Sequence, residues 1–419
     1  MLNFFHMNFF VLGSHPALSI AEIATILGPG KDYSKASKEI LLLDDVDQAP
    51  EVLQERLAGT VKIGSIVGEV KKINQAEVAD LIVSLIPAAQ RSAGRADDVE
   101  AKRISYGIST YACGAPINEL ASEGKRLGMA VKKRLKENGL SSRFVSCNTS
   151  ALTTAAVTGE KLLETGGEFV LIAMPGKILI GQTRTVQDFV AWSNRDYGRP
   201  KRDTKSGMLP PKLARMMINL SRADVDKATI LDPFCGSGTV LMEAVLMGFQ
   251  HVIGSDISEK AIEDTRANLD WLDQNEDGDI KVVRLLTKSV ETLKEDLKQN
   301  VDAVVGETYL GPPLSDRETP ARINKIMDEL TQRTASALMS VRHLLKSGGL
   351  AVIAIPAFQS AGQVQYLPTA KIIQDAGFKI TKVLPESLPN ELKIRTPAGG
   401  LLYARKEQRV GREILVLKV

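Results

Sequence analysis

The segment ILDPFCGSGTVLMEA, residues 230–244, constrains the fold more than any other part of the chain. A short apolar run that favours a strand meets a proline and two closely spaced glycines, and then a stretch free of both that favours a helix. Gly236 and Gly238 let the backbone turn sharply and approach a ligand closely. A helix starting at Thr239 would present its first N–H groups to an anionic group, so a nucleotide-like cofactor is expected. The segment is neither the full G-x-G-x-x-G fingerprint nor a P-loop, since no Gly-Lys-Ser/Thr follows. NAD and ATP lose ground as ligands.

From residue 229 onward, strands alternate with helices. The strands are TILD, HVIGSDI, IKVVRLL, VDAVVGE, LAVIAIP, FKITKVL and EILVLKV, and helices are expected over 239–247, 260–271, 290–299, 323–345 and 369–376. This alternation predicts an α/β fold, a doubly wound, mostly parallel Rossmann-like sheet with an antiparallel edge. Ligands of such sheets bind outside the carboxyl ends of the strands, near the point where strand order reverses. Asp232 closes the first strand and Asp256 the second. An acid roughly 20 residues after the glycine turn can accept hydrogen bonds from both hydroxyls of a ribose. Two carboxylates at adjacent strand ends suit a ligand with a ribose and a cationic amino-acid tail, which describes S-adenosylmethionine better than NAD. Phe234, Gly236, Gly238, Thr239 and Ile257 complete the expected cofactor-binding set.

Residues 7–87 read as a small α+β unit, with helices over 19–27, 49–58 and 75–85 between strands over 40–43 and 61–67. A polar stretch, 88–100, resembles a linker. A second unit opens with ISYGIS and has a long helix over 117–138, the strands RFVSC and EFVLIAM, and a last strand over 178–185. The expected organisation is 1–88, 89–192, a basic connector 193–208, and 209–419. The connector carries Arg195, Arg199, Lys201 and Arg202 beside Tyr197 and Trp192, a combination suited to phosphate and stacking contacts with nucleic acid. Lys125, Arg126, Lys132, Lys133, Arg134 and Lys136 recur along the long helix, where a solvated face is the ordinary explanation.

Hydrophobic residues at 44% and charged residues at 25% exclude disorder as the main state. The apolar run LAVIAIPAF falls short of the ~18 residues of a membrane helix. A net charge of +3 means that any nucleic-acid surface comes from local clustering. Three scattered cysteines and four histidines show neither a disulfide framework nor metal-ligand spacing, so no metal is expected, and a soluble, cytoplasmic protein fits. No Lys or Arg precedes Lys31, which makes a poor signal peptide, and Met7, directly before the apolar run from Phe9 to Leu12, is the expected translation start as an alternative to Met1. Cys235 lies in the glycine turn and reads as a small buried hydrophobe rather than a nucleophile. His251 and His343 read as structural.

Asp232-Pro233-Phe234-Cys235-Gly236-Ser237-Gly238-Thr239 resembles the first motif of class I methyltransferases in the form found in RNA guanine-N2 enzymes. RDYGRPKRDTKSGMLPPKLARMMINLS, residues 195–221, resembles the segment leading into that domain in the THUMP-containing tRNA guanine-N2 methyltransferases, and LGSHPALSIAEI resembles their opening strand and helix. The resemblance implies methyl transfer from S-adenosylmethionine to the exocyclic amine of a tRNA guanine, with ferredoxin-like and THUMP-like N-terminal regions gripping the tRNA. In that family the fourth strand ends in Asp or Asn, two prolines and an aromatic residue. Here it runs into Glu307-Thr308-Tyr309-Leu310-Gly311-Pro312-Pro313. Glu307 retains an acceptor for the amine hydrogens and Tyr309 an aromatic face for the base, at a spacing that departs from the pattern. The third strand ends in LLTKS without the acid that often meets the adenine amine, which leaves Ser289 or backbone groups for that role. A DNA amino-methyltransferase and a catalytically silent RNA-binding module are the alternatives.

Overall fold

The computed structural model describes residues 6–87, 103–202, 207–276, 278–314, 318–360, 363–405 and 408–419. The expected linker at 88–100 and the residues before Met7 lie outside this set, apart from His6. Two compact units account for the chain. The first comprises Met1–Ile20, Pro29–Phe189 and Pro385–Leu392, and the second Ala21–Gly28, Val190–Leu384 and Lys393–Val419.

The first unit is built on strands β1 (Met7–Leu12), β2 (Ile40–Asp44), β3 (Thr60–Val70), β4 (Ile104–Ala112), β5 (Ser142–Val145), β6 (Gly167–Met174) and β7 (Lys177–Val186). They form one sheet in the order β2-β1-β3-β7-β6-β4-β5. The expected division at 88/89 therefore does not separate two sheets. The cause is β3, whose one edge pairs with β1 and whose other edge pairs antiparallel with β7, from Lys62↔Val186 to Val70↔Ile178. Helices α1 (Pro16–Leu27), α2 (Pro50–Arg56), α3 (Gln75–Leu85), α4 (Asn118–Glu137), α5 (Thr154–Gly159) and α6 (Leu162–Thr165) connect the strands. Asn74 caps α3 by accepting from the Ala76 N–H at 3.1 Å, and Val78, Ala79, Ile82 and Val83 form its buried stripe. Inside the sheet the Lys62 ammonium is paired with the Glu168 carboxylate and donates to the Leu152 carbonyl at 2.6 Å. Ser109 and Thr183 donate to the same carboxylate. A buried charge pair whose lone pairs are met by neighbours on three strands holds one register, because a slip would strand the charge. Along α4, Arg126, Lys133 and Arg134 pair with Glu123, Glu137 and Asp80, as a solvated face does.

The second unit contains α7 (Phe189–Ser193), a π-helical turn (Asn194–Gly198), α8 (Pro211–Leu220), β8 (Thr229–Asp232), α9 (Thr239–Leu246), β9 (His251–Asp256), α10 (Glu259–Asn275), β10 (Val283–Thr287), β11 (Val301–Glu307), α11 (Pro320–Leu344), β12 (Leu345–Ser360), β13 (Gln363–Tyr366), α12 (Thr369–Asp375), β14 (Lys379–Ile380), β15 (Leu401–Tyr403) and β16 (Val410–Lys418). The sheet order is β10-β9-β8-β11-β12-β16-β14. β8 to β12 run parallel, and β16 joins β12 antiparallel, as the expected edge does. The parallel strands are apolar on both faces. Val304, Val305, Ala351, Ile353 and Leu415 are fully buried, and Leu338 and Val341 of α11 pack on the same core. The expected helix over 290–299 is absent. A short 3-10 turn at Leu293–Glu295 replaces it, with Leu293 and Leu297 buried in the core without a regular helix. Strand order reverses between β8 and β11, which places the topological switch point at the ends of those two strands.

Candidate active site

A cavity of about 1070 Å³ opens at the carboxyl ends of β8 to β11. Asp232, at the end of β8, is buried, and its carboxylate accepts the Phe234 N–H at 3.0 Å. Burial lifts its pKa well above the ordinary carboxylate range, and the nearby Asp256 and Glu307 charges push the same way. Room for Asp232 depends on Gly306 of β11, since a Cβ there would lie 2.5 Å from the Asp232 Oδ1.

The glycine turn is held mostly by bonds within the fold. Cys235 N–H donates to the Ser255 carbonyl at 2.9 Å, Gly236 N–H to Asp256 Oδ2 at 3.0 Å, and Gly238 N–H to the Cys235 carbonyl at 2.7 Å. These amides brace the turn that leads into the helix beginning at Thr239. Gly236 and Gly238 adopt φ of 53° and 84°. At Gly238 a Cβ would also meet Thr265 Cγ2 at 2.9 Å. Thr239 is the first residue of α9 and is buried. Burial pushes the Cys235 thiol well up, which keeps it neutral and unreactive.

Asp256 accepts from Gly236 with one oxygen and from the Ser258 N–H, at 2.9 Å, with the other. Each oxygen keeps acceptor capacity toward the cavity, which fits a vicinal diol. Phe234 and the exposed Ile257 line the mouth on either side. Ser289 also lines the cavity, but its hydroxyl is bonded to the Glu291 carboxylate. Glu291 is an acid close to the end of β10. It stands beyond the strand end, in a stretch expected to be helical, and it lines the same cavity.

Glu307 and Tyr309 sit where the fourth strand delivers them. The Glu307 carboxylate is not free, however. Arg412 of β16, 2% exposed, pairs with it through Nε and Nη2, and the same Nη2 donates to the Met208 carbonyl at 3.1 Å. Burial pushes the Glu307 pKa up, and the Arg412 guanidinium opposes the rise. No local sequence signal around Arg412 points to this pairing, because Glu307 is 105 positions away. Tyr309 is half exposed, and the Arg333 guanidinium lies 5.6 Å from its ring centroid.

The connector divides into two groups. Arg195 and Arg199 are corrected from RNA contacts to structural residues. Arg195 is 6% exposed, bonds Glu243 at 2.9 Å and lies 4.3 Å over the Trp192 ring. Arg215 takes the other Glu243 oxygen at 2.8 Å. Arg199 is 2% exposed and donates to Thr239 Oγ1 at 2.6 Å, with Met208 and Met242 sulfurs around it. Burial lowers its pKa. Tyr197, 60% exposed, and Lys201 and Arg202, both exposed, stay on the surface, with Arg202 stacked 5.0 Å from the Tyr197 ring and lining the cavity. Asn268 fixes the Lys201 backbone through both its N–H and its carbonyl at 2.9 Å. Among the described residues no group of three or more His, Cys, Asp or Glu could hold a metal, and no helix is long and apolar enough to cross a membrane.

Residues 199–356 match the family model described as UPF0020: RMKL-like, methyltransferase domain. The second unit has the fold of a class I methyltransferase. The tRNA (guanine(10)-N2)-dimethyltransferase of Methanothermobacter thermautotrophicus is 35% identical over 150 residues, 36% of this chain and 39% of that protein. The protein of the same name from Methanocaldococcus jannaschii is 31% identical over 185 residues, 43% of this chain and 48% of that protein. The chain thus spans less than half the length of either relative. TrmN from Thermus thermophilus shares the fold over 99% of both chains, with a TM-score of 0.56 at 16% identity.

Proposed function

We propose that the protein transfers a methyl group from S-adenosylmethionine to the exocyclic N2 amine of a guanine in tRNA, in the cytoplasm. The observation that carries this reading is the cavity at the switch point, framed by the Asp232–Thr239 turn and by Asp256. It lies within the stretch that matches a methyltransferase domain and the relatives named above. The residues fit the cofactor: Asp256 offers two oriented oxygens to a ribose, Glu291 or Ser289 an acceptor to an adenine amine, and the acidic strand ends suit a cationic tail. When bound, the cofactor supplies an electrophilic methyl group. Glu307 accepts an amine hydrogen, which turns the nitrogen lone pair out of ring conjugation, and Tyr309 holds the base by its face. The Glu307 carboxylate or water would take the proton that the methylated amine releases. Tyr197, Lys201 and Arg202 meet phosphate or an unstacked base. The first unit corresponds in this reading to the ferredoxin-like and THUMP-like regions and adds contacts to the tRNA.

The test is incubation of purified full-length protein with unmodified tRNA and methyl-labelled cofactor, followed by nucleoside mass spectrometry. Label in N2-methylguanosine or N2,N2-dimethylguanosine is expected. Label in an adenosine or cytidine product, or preferential labelling of duplex DNA, would refute the assignment. A second reading, a tRNA-binding protein that holds the cofactor without transferring the methyl, is favoured by the existing Glu307–Arg412 pair. Tight binding of both ligands with no label transfer would establish it.

A further inference from the structure

We propose that Arg199, acting through Thr239, positions a hydrogen-bond donor for the carboxylate of the cofactor's amino-acid tail. The proposal rests on the methyl-transfer reading for the identity of the cofactor. Its substance is a buried guanidinium that meets no carboxylate among the described residues.

Four arginines of the second unit are buried among the described residues, and three of them face an acid. Arg195 and Arg215 share Glu243, and Arg412 pairs with Glu307. Arg199, 2% exposed, is the exception. Its Nη1 donates to Thr239 Oγ1 at 2.6 Å and lies 3.9 Å from the Met242 sulfur, while Nη2 lies 3.4 Å from the Met208 sulfur. Thioethers are weak acceptors, and the buried Nε has no hydrogen-bond partner. A buried cation with one good bond and no counter-charge in contact is costly unless a ligand brings the anion. Burial lowers its pKa. Asp196 and Glu243, neither of them bonded to it, oppose the fall, and Arg202 adds to it.

The one strong bond leads to the cavity. Thr239 opens α9 and lines the cavity, and Arg199 stands behind it. A guanidinium can only donate, so the Thr239 oxygen accepts and the hydroxyl proton remains to be donated elsewhere. Bonding of that oxygen to a cation polarises the O–H and makes it a better donor. The positive end of the α9 dipole lies at the same residue. The tail of the cofactor is a zwitterion, and the cavity treats its two ends differently. Asp232, Asp256 and Glu307 line the cavity and offer acceptors to the ammonium. The carboxylate needs donors, and the lysines of the lining are engaged, Lys260 with Asp264 and Lys288 with Asp296. The guanidiniums of Arg202 and Arg333 lie over the rings of Tyr197 and Tyr309. Thr239 is the donor with an uncompensated positive charge behind it. At 6% exposure it is reachable by a small carboxylate and not by the phosphate backbone of RNA.

The test is calorimetry on the full-length chain with two ligands, S-adenosylhomocysteine and S-adenosyl-3-thiopropylamine, which keeps the ammonium and lacks only the carboxylate. Wild type should prefer the first by about tenfold or more, the effect of one hydrogen bond to a charged group. Thr239→Val keeps the shape and loses the hydroxyl, and should remove most of that preference, whereas Thr239→Ser should retain it. Arg199→Met should narrow the preference as well, with little change in affinity for the ligand that has no carboxylate. A merely structural role would instead weaken both ligands alike. Adding Arg199→Met to Thr239→Val should narrow the preference by less than about twofold more, because the arginine acts through the hydroxyl. Equal binding of the two ligands by wild type, or an unchanged preference in Thr239→Val, would overturn the proposal. So would a Thr239→Val protein that loses tRNA affinity and keeps the ligand preference. If Arg199→Met does not fold, Thr239→Val and Thr239→Ser decide alone. A protein that shows the preference yet labels no guanine would keep the proposal and lose the methyl-transfer reading, and one that methylates guanine N2 without the preference would do the reverse.

Discussion

Arg195 offers the sharpest separation between a residue that grips RNA and one that holds the protein together. Its side chain is 7% exposed and faces Glu243, which is 1% exposed and shared with Arg215. Truncating one member of a buried, hydrogen-bonded charge pair costs about 3 to 5 kcal/mol, because the partner stays buried with its charge unmet. Here Arg215 still holds the second Glu243 oxygen at 2.8 Å, which places the loss for Arg195→Ala near the lower end, about 3 kcal/mol. The bond to the more open Glu276, at 3.4 Å, adds little. Loss of the guanidinium from the face of Trp192 adds on the order of 0.5 to 1 kcal/mol.

The assay is urea unfolding of the full chain followed by tryptophan fluorescence in a Trp271→Phe background, which leaves Trp192 as the reporter inside the cluster. With a urea slope of about 1 to 3 kcal/mol per molar, the midpoint of the transition should fall by about 1 M or more. Lys201→Ala and Arg202→Ala, both exposed, should stay within about 0.5 kcal/mol of wild type and should instead weaken tRNA binding and flatten its salt dependence. An Arg195→Ala protein with wild-type stability and a selective loss of tRNA affinity would refute the reasoning.

Two further outcomes follow from the site. Asp256→Ala removes both oxygens proposed to meet the ribose, with one bond to the glycine turn and one to Ser258, so calorimetry should show at least a tenfold loss of cofactor affinity, the equivalent of about 1.5 to 3 kcal/mol, and unchanged affinity would displace the cofactor from this cavity. Glu413, fully buried in β16 and accepting from Thr369 at 2.8 Å, has its pKa raised by burial, against hydrogen bonds from Thr396 and Thr369. Its folded form holds a proton more tightly than its unfolded form, so its contribution to stability is greatest in acid and is lost as pH rises through the folded pKa. Glu413→Gln should therefore raise the melting temperature more at pH 8 than at pH 5, and an equal gain at both would contradict the direction.

Local pattern carried most of the second unit. The apolar strand runs, the glycine turn and the acids at the strand ends are signals of a few residues each, and β8, β9, β11, β12 and β16 stand where those signals put them. Pairings over long separations were invisible. The union of β3 with β7 depends on which edges remain free after β1 has paired, and no periodicity records that. Arg195 read as a surface cation because Glu243 is 48 positions away. The stretch after β10 reads as helical because Leu293 and Leu297 lie at helical spacing, yet burial of those two side chains is achieved by a short turn. Glu291, just before it, lines the cavity from that same stretch.

The fourth-strand end shows why a departure from a motif need not mean loss of the chemistry. Glu307 of β11 stands opposite Ala354 of β12, and Arg412 of β16 stands opposite Pro356 of the same strand. The two side chains therefore meet across an intervening strand, a gap of roughly two strand spacings, or about 9.6 Å. A small residue and a proline leave space over β12 for them to meet. The shorter Asp or Asn of the family pattern would fall about 1.5 Å short, one carbon–carbon bond. A longer acid on β11 and an arginine on β16 thus pair across β12. With them, the acceptor at the cavity is a carboxylate held in place by the fold rather than an amide free to turn. In the proposed reading the pattern changes in residue type while the acceptor stays at the same strand end.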